Sequence, residues 1–158
     1  MTVITVNTAT GRLTRDQRSR LAETLTDAVL VPEVGQFAPA ARVGFQVHFV
    51  EREPDMMAIG GRLLVEAGSE LDVMVIDVAV MDADWRLEVR GEVIERVLAA
   101  MAEACGVAEP SPSWWVNFRV IDEGSWGSRG GVLSVFSLLD SGVFTEEKAK
   151  AVRAALGR

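Results

Sequence analysis

The sequence has 158 residues, of which 49% are hydrophobic and 25% charged, and its formal net charge is −7. This length and composition are typical of one soluble globular domain. The negative charge argues against nucleic-acid binding, because phosphate recognition requires clustered Lys and Arg. Cys105 is the only cysteine, so an intrachain disulfide is excluded here and a reducing, cytoplasmic setting is the simpler interpretation.

The chain gives no sign of export or membrane insertion. Its first ten positions include polar residues and lack an apolar segment followed by a small-residue cleavage site, so no secretory signal is predicted. The apolar run at residues 73–80 is interrupted by Asp77 and is too short to cross a bilayer. We therefore expect no membrane partner.

One β-α-β pattern occurs twice. The first copy has VITV, a helix, FQVHFV and AIGGRLL, and the second has VMVIDVAV, a helix, WVNFRVI and SRGGVLS. The glycine pairs that begin at Gly60 and Gly130 lie 70 residues apart, and residues 3–6 match residues 73–76 at the same offset. The sequence is thus organised as a duplicated half-domain.

In the first copy, residues 3–6 form a short β-branched strand, and Thr14 with Gln17 has the spacing of a helix capping box. Apolar residues then recur at helical spacing at positions 21, 25, 28 and 29. Pro32 marks the following loop, because proline cannot continue the helix. From Val43 onward, alternating apolar residues predict a strand with one buried face.

In the second copy, residues 73–80 are apolar at consecutive positions, which predicts a strand buried on both faces. A helix beginning near Asp84 follows, with an apolar stripe from Ile94 to Cys105, and Gly106 is well placed to end it. Residues 114–121 alternate as a strand. Thr145 predicts the start of a short final helix.

These elements predict an α+β fold: a tandem β-α-β sheet with two helices on one face and a short C-terminal helix. We assign a single domain over residues 1–158, with repeats at 1–66 and 71–137 and the C-terminal helix within 138–158. The uncovered sheet face is expected to pack against another subunit. Apolar loop residues are candidates for that contact: Phe37, Met56, Met57, Trp126, Phe136 and Phe144.

Four segments together resemble the tautomerase superfamily, and within it the cis-3-chloroacrylic acid dehalogenase group. They are Leu13-Thr14, the Leu-Thr-Asp-Ala of residues 25–28, residues 45–49 followed by Glu51, and Trp-Val-Asn-Phe at residues 115–118. The resemblance covers most of the chain. It implies two β-α-β units per subunit, a homotrimer and a pocket at the amino terminus.

Catalysis in that superfamily depends on an amino-terminal proline, whose amine transfers protons near neutral pH. Thr2 occupies the matching position here and follows Met1. Thr2 is therefore a candidate catalytic residue only if Met1 is removed, and otherwise it begins a strand.

The resemblance also shows where this sequence departs from the group. Val29 stands at the histidine position, Asp82 and Trp85 stand near the two arginine positions, and Asn117 replaces the tyrosine. The water-activating glutamate falls near Ser128 and Arg129, so neither dehalogenase nor hydratase activity is expected.

The candidate substrate-binding residues are Trp85, Arg86, Asn117 and Arg129. Arg86, Arg119 and Arg129 could form a cationic site for a carboxylate, because guanidinium binds carboxylate through two parallel hydrogen bonds. They could equally be solvated or pair with acidic neighbours. The tryptophans could line an apolar pocket, the core or a subunit contact.

Asp77 and His48 have structural interpretations as well as functional ones. Asp77 lies in an apolar run and is expected to bond Arg119 or a neighbouring subunit, or else to sit at a sheet edge. His48, the single histidine, is interpreted as a hydrogen-bonded structural residue. No metal site and no cofactor are predicted.

Two functions remain open. The first is a tautomerase-superfamily homologue without the proline, acting as a small-molecule binding or trimeric scaffold protein. The second is an isomerase, tautomerase or hydratase-type enzyme that acts on a small carboxylated enol or keto acid by a proline-independent mechanism. The second rests on resemblance in fold alone.

Overall fold

The computed structural model describes residues 1–68 and 71–157. In chain order the elements are β1 (Thr2–Ala9), α1 (Arg15–Val34), β2 (Phe45–Arg52), β3 (Ala58–Ile59), β4 (Arg62–Leu63), α2 (Leu64–Ala67), β5 (Met74–Met81), α3 (Leu87–Cys105), β6 (Trp114–Ile121), β7 (Gly127–Ser128), β8 (Gly131–Val132), α4 (Val135–Leu139) and α5 (Glu146–Ala155). Short 3-10 helices span Pro39–Gly44 and Pro54–Met56.

Four strands form the main sheet in the order β2-β1-β5-β6. β1 pairs in parallel with β2 and β5 in parallel with β6, whereas β1 and β5 are antiparallel. The two β-α-β repeats therefore join through their first strands. The predicted α+β class is confirmed.

The helices α1 and α3 pack against each other over one face of this sheet. On β1, Ile4 and Val6 are buried on that face, and on β5 the corresponding residues are Ile76 and Val78. At the end of β5, residues 78–81 are all buried. None of the described helices is both long and apolar enough for a bilayer span.

Both long helices have the expected signals at their ends. The capping box of Thr14 and Gln17 is present, and both α1 and α3 end at a left-handed glycine, Gly35 and Gly106. The helix α3 begins at Leu87, three residues later than the Asp84 start that the sequence suggested.

Pro32 lies inside α1, so its interpretation as a loop marker was wrong. Proline removes one backbone donor, but α1 continues for only two residues beyond it. The Gly35 N–H then donates to the Val31 carbonyl at 2.9 Å and closes the last turn. The proline is tolerated because it falls in this final turn.

The six apolar residues assigned to loops differ in exposure. Phe37 and Met56 are exposed, whereas Met57, Trp126 and Phe136 are half-buried. Phe144 is buried in the core, and Phe136 belongs to α4. Phe144 is therefore not an exposed subunit contact.

Candidate functional site

Two cavities flank the amino-terminal end of β1. One, of about 230 Å³, lies on the helix side, and the other, of about 530 Å³, opens on the uncovered sheet face. Met1, Val43 and Gly44 line both cavities. A Cβ atom on Gly44 would lie 3.2 Å from the Met1 sulfur, so Met1 packs closely against this glycine between the cavities.

The smaller cavity, here called the Glu33 cavity, has largely apolar walls. It is lined by Met1, Leu30, Glu33, Val34, Ala40, Ala41, Val43, Gly44, Phe45, Arg129, Leu138, Ser141, Val143 and Phe144. These residues come from the amino terminus, the end of α1, the segment before β2 with the first residue of β2, the β7-β8 turn, and α4 with the segment that follows it. Distant parts of the sequence therefore build it together.

Two hydrogen bonds hold the last of these segments at the carboxyl end of α1. The Thr145 N–H donates to the Val34 carbonyl at 2.9 Å, and the Gln36 side-chain amide donates to the Val143 carbonyl at 2.7 Å. The left-handed turn at Gly35 directs the chain away at this point. One wall of the cavity is thereby fixed to the carboxyl end of α1.

Glu33 is the acidic residue of this cavity, and it is 7% exposed. Burial away from water raises the pKa of its carboxyl group to about 7, against the opposing effect of the Met1 α-amino group. Among the described residues, no hydrogen bond or ion pair reaches this carboxyl group. It is therefore a buried titratable group that is open to a ligand.

Arg129 lines the same cavity from the turn between β7 and β8. It is the one non-glycine residue of the described chain with a positive φ, 53°. Holding an L-residue in this region costs backbone energy, which glycine would avoid. The arrangement places an exposed guanidinium at a cavity whose other charged side chain is Glu33.

Thr2 is 1% exposed and lies at the sheet-face cavity. Its hydroxyl oxygen has no hydrogen-bond partner in the described structure. The Thr2 nitrogen forms the peptide bond to Met1. In this form Thr2 offers no free amine.

The other predicted substrate-binding residues lie apart from Arg129. Trp85 is buried, donates its indole N–H to the Met81 carbonyl at 2.7 Å and packs edge-on against Phe118. Arg86 is exposed and pairs with Asp84 at 2.8 Å. The structure therefore places neither residue in the Glu33 cavity.

Asn117 lies on the uncovered sheet face, where it belongs to a polar cluster with Asp77 and Asn7. The Asn117 and Asn7 side-chain amides each donate to Asp77 at 2.9 Å, one to each carboxylate oxygen. The expected bond from Arg119 to Asp77 is not found among the described contacts. The Asp77 carboxylate is instead hydrogen-bonded by the two amides of the neighbouring strands.

His48 accepts or donates one hydrogen bond, to Gln46 at 3.0 Å, and is exposed on β2. Within residues 1–68 and 71–157, no group of three or more His, Cys, Asp or Glu side chains is arranged to hold a metal.

The comparisons with known proteins identify structures that have a similar fold. No family model matches the sequence, and no curated protein is significantly similar to it. The structure is similar to N1, a member of the cis-3-chloroacrylic acid dehalogenase (cis-CaaD) family, with a TM-score of 0.69 at 16% identity over 96% of this chain and 99% of that one.

Two further structures share this architecture. Native fused 4-OT gives a TM-score of 0.67 at 21% identity, covering 86% of this chain and 98% of that one. Macrophage migration inhibitory factor of Toxoplasma gondii gives 0.62 at 13% identity, covering 83% and 99%. The chain therefore shares the fold of these three solved structures.

Glu33 was missed by sequence reasoning, although a signal existed. It follows Leu25 and Val29 at intervals of four residues, on the buried stripe of α1. A charged residue on such a stripe is unusual and points to a functional or paired group. The signal was hidden because Pro32 was taken to end the helix before position 33.

Proposed function

We propose that this protein is a tautomerase-superfamily homologue that binds a small carboxylated molecule in the Glu33 cavity and acts as a homotrimer. The observation that supports the site is an apolar cavity that contains one buried, unpaired carboxyl group and one arginine, Arg129. Ligand pockets commonly combine apolar walls with a few polar groups. At about 230 Å³ the cavity suits a metabolite smaller than a typical drug.

The trimer is supported by the uncovered sheet face and by similar structures. Trp115 is 57% exposed on this face. Two solved fused 4-OT proteins are described as a symmetric and an asymmetric trimer, at 19% and 18% identity to this chain. A cytoplasmic setting is part of the proposal, because a single cysteine is typical of reducing compartments. Nucleic acid is not a proposed partner, since the chain is acidic overall.

Phenylacetate tests the ligand proposal, since it has an apolar ring and one carboxylate. Titration into isotopically labelled protein should shift backbone resonances of residues that line the Glu33 cavity, such as Leu30 and Val143. Ala41→Phe should abolish these shifts by filling the cavity, whereas Leu87→Phe, on the exposed start of α3, should leave them unchanged. Absence of shifts in the unmodified protein would contradict the proposal.

Sedimentation equilibrium tests the assembly. A mass three times that of the 17.1 kDa chain is expected. Trp115→Glu should lower that mass if the uncovered sheet face is the interface. A monomer at all concentrations would exclude the trimer.

A second candidate function is an isomerase that converts a small carboxylated enol or keto acid without a proline. The carboxyl group of Glu33 favours it, because a pKa of about 7 is suited to proton transfer at neutral pH. A freed Thr2 amine is the other candidate base, with a reference pKa of about 7.7 to 8.0. Dehalogenation and hydration are not proposed.

Two measurements test whether a freed Thr2 amine acts as the base. Intact mass of the protein from its native host shows whether Met1 is retained, and complete retention excludes a Thr2 amine. Thr2→Pro with Met1 removed should gain weak keto-enol activity if the pocket accepts the substrate. No gain would exclude a latent proline-type pocket.

A further inference from the structure

The most unusual titratable group in the described structure is the Glu33 carboxyl group. The side chain lines an apolar cavity, is 7% exposed, and has no hydrogen-bonding partner in the described chain. Buried carboxyl groups are normally paired, because an unpaired polar group loses its hydration without compensation. A group left in this state points to a ligand that supplies the missing contacts.

The charged groups around Glu33 leave its carboxyl group free. The Met1 α-amino group acts on it electrostatically, but no ion pair forms between them. Arg129 lines the cavity from the β7-β8 turn, and Lys148 of α5 packs beside Gly35. Arg42, on the segment before β2, is held by acidic residues of α1, namely Asp27 and Glu23.

We propose that Glu33 is the acid–base residue for enol–keto conversion of a small, apolar-bodied 2-oxo acid in the Glu33 cavity. This inference rests on the second candidate function and gives it a residue. In this assignment the Glu33 carboxyl group transfers the protons, in place of an amino-terminal amine. Arg129 holds the carboxylate of the substrate, and the apolar walls hold its body.

One carboxyl group can complete the reaction because it has two oxygens. The protonated oxygen of Glu33 gives its proton to the enol carbon, and the electron pair of the C=C bond forms the new C–H bond. The other oxygen takes the hydroxyl proton of the enol, and that O–H pair forms the C=O bond. Glu33 ends protonated, so protons and electrons balance without a further reactant.

The burial of Glu33 in this cavity suits the chemistry. The apolar walls leave Glu33 only 7% exposed, so a protonated carboxyl group persists near neutral pH, where an exposed glutamic acid would be ionised. The active form is the protonated one. The rate should therefore fall as the pH rises through about 7.

The test uses the enol of phenylpyruvate, whose ketonisation is followed by ultraviolet absorbance. Glu33→Gln should lower kcat/KM by roughly a hundredfold or more, the usual contribution of acid–base catalysis. Glu95→Gln, on the exposed face of α3, is the matched control and should keep both the rate and the pH profile. Glu33→Asp should keep a pH-dependent activity at a reduced rate.

Phenylacetate binding separates this inference from the proposed function. Glu33→Gln resembles the protonated form of Glu33 and should still bind phenylacetate, which also shows that the variant is folded. If phenylacetate binds but the unmodified protein does not accelerate ketonisation, the inference is wrong and the binding function stands. The same conclusion holds if Glu33→Gln ketonises as fast as the unmodified protein. If phenylacetate does not bind at all, both proposals fail.

Discussion

Gly35 and Thr145 approach so closely that a Cβ atom on Gly35 would lie 2.7 Å from the Thr145 hydroxyl oxygen. That oxygen accepts the N–H of Lys148 and caps α5. The contact therefore links the last turn of α1, which contains Glu33, to the helix that follows the cavity wall. These two residues therefore lie where α5 and the end of α1 meet, next to the cavity wall.

Gly35→Ala tests this contact. The alanine methyl group would displace the Thr145 hydroxyl and would also occupy a left-handed position, φ 80°. The matched control is Gly106→Ala at the end of α3, where φ is 68° and a Cβ atom would meet nothing within 4 Å. Urea denaturation should show that Gly35→Ala costs about 1 kcal/mol more than Gly106→Ala, the usual value of a helix cap. Equal losses would show that the contact is unimportant.

The raised pKa of Glu33 predicts a pH-dependent stability difference between the unmodified protein and Glu33→Gln. The unfolded chain loses this proton near pH 4.5 and the folded chain near 7, so the unmodified protein loses stability as the pH rises across that interval. Glutamine does not titrate and lacks this dependence. From pH 4 to pH 8 the difference in unfolding free energy between Glu33→Gln and the unmodified protein should therefore move by up to about 3 kcal/mol in favour of the variant, at about 1.4 kcal/mol per pKa unit.

Denaturation midpoints at pH 4, 6 and 8 measure this difference. Glu95→Gln changes an exposed carboxyl group with no described partner, and its difference from the unmodified protein should stay nearly constant with pH. A constant difference for Glu33→Gln as well would mean that Glu33 is not desolvated.

Much of the fold follows from local signals in the sequence. The Thr14–Gln17 capping box, the alternation in the strands and the glycine at position 106 each act within a few residues, so the pattern alone reveals them. The 70-residue repeat then predicts two parallel strand pairs, because parallel strands require a crossover helix. None of these predictions required knowledge of contacts between distant segments of the chain.

The site was harder to predict because it depends on contacts between distant segments. Glu33 and Arg129 are 96 positions apart, and they share a cavity only because the α4-α5 segment and the β7-β8 turn fold back toward α1. Trp85 and Arg86 lie near arginine positions of the resembled group, yet one packs in the core and the other faces solvent. Sequence alignment alone does not show whether a side chain at such a position packs in the core or faces solvent.

Asp77 holds two strands on either side of β5, because the Asn7 and Asn117 amides donate to its two oxygens. Asp77→Ala removes the acceptor for both amides and should lower the free energy of unfolding by about 2 kcal/mol, typical of hydrogen bonds to a charged group. Asp55→Ala, at an exposed position, should change it by less than about 0.5 kcal/mol. Thermal denaturation of both variants at pH 7 gives the comparison, and similar melting temperatures would refute the stabilising role.

Arg129→Gly should separate stability from ligand binding. The glycine removes the strain of a left-handed arginine at φ 53°, so the folded protein should gain about 1 kcal/mol. It also removes the guanidinium from the Glu33 cavity, so phenylacetate affinity should fall at least tenfold. Arg129→Lys keeps the charge and the strained backbone, and it should bind with intermediate affinity because lysine lacks the paired donors. Calorimetric titration and urea denaturation of the three proteins measure both quantities. A more stable Arg129→Gly with unchanged affinity would show that the strained turn does not serve the ligand site.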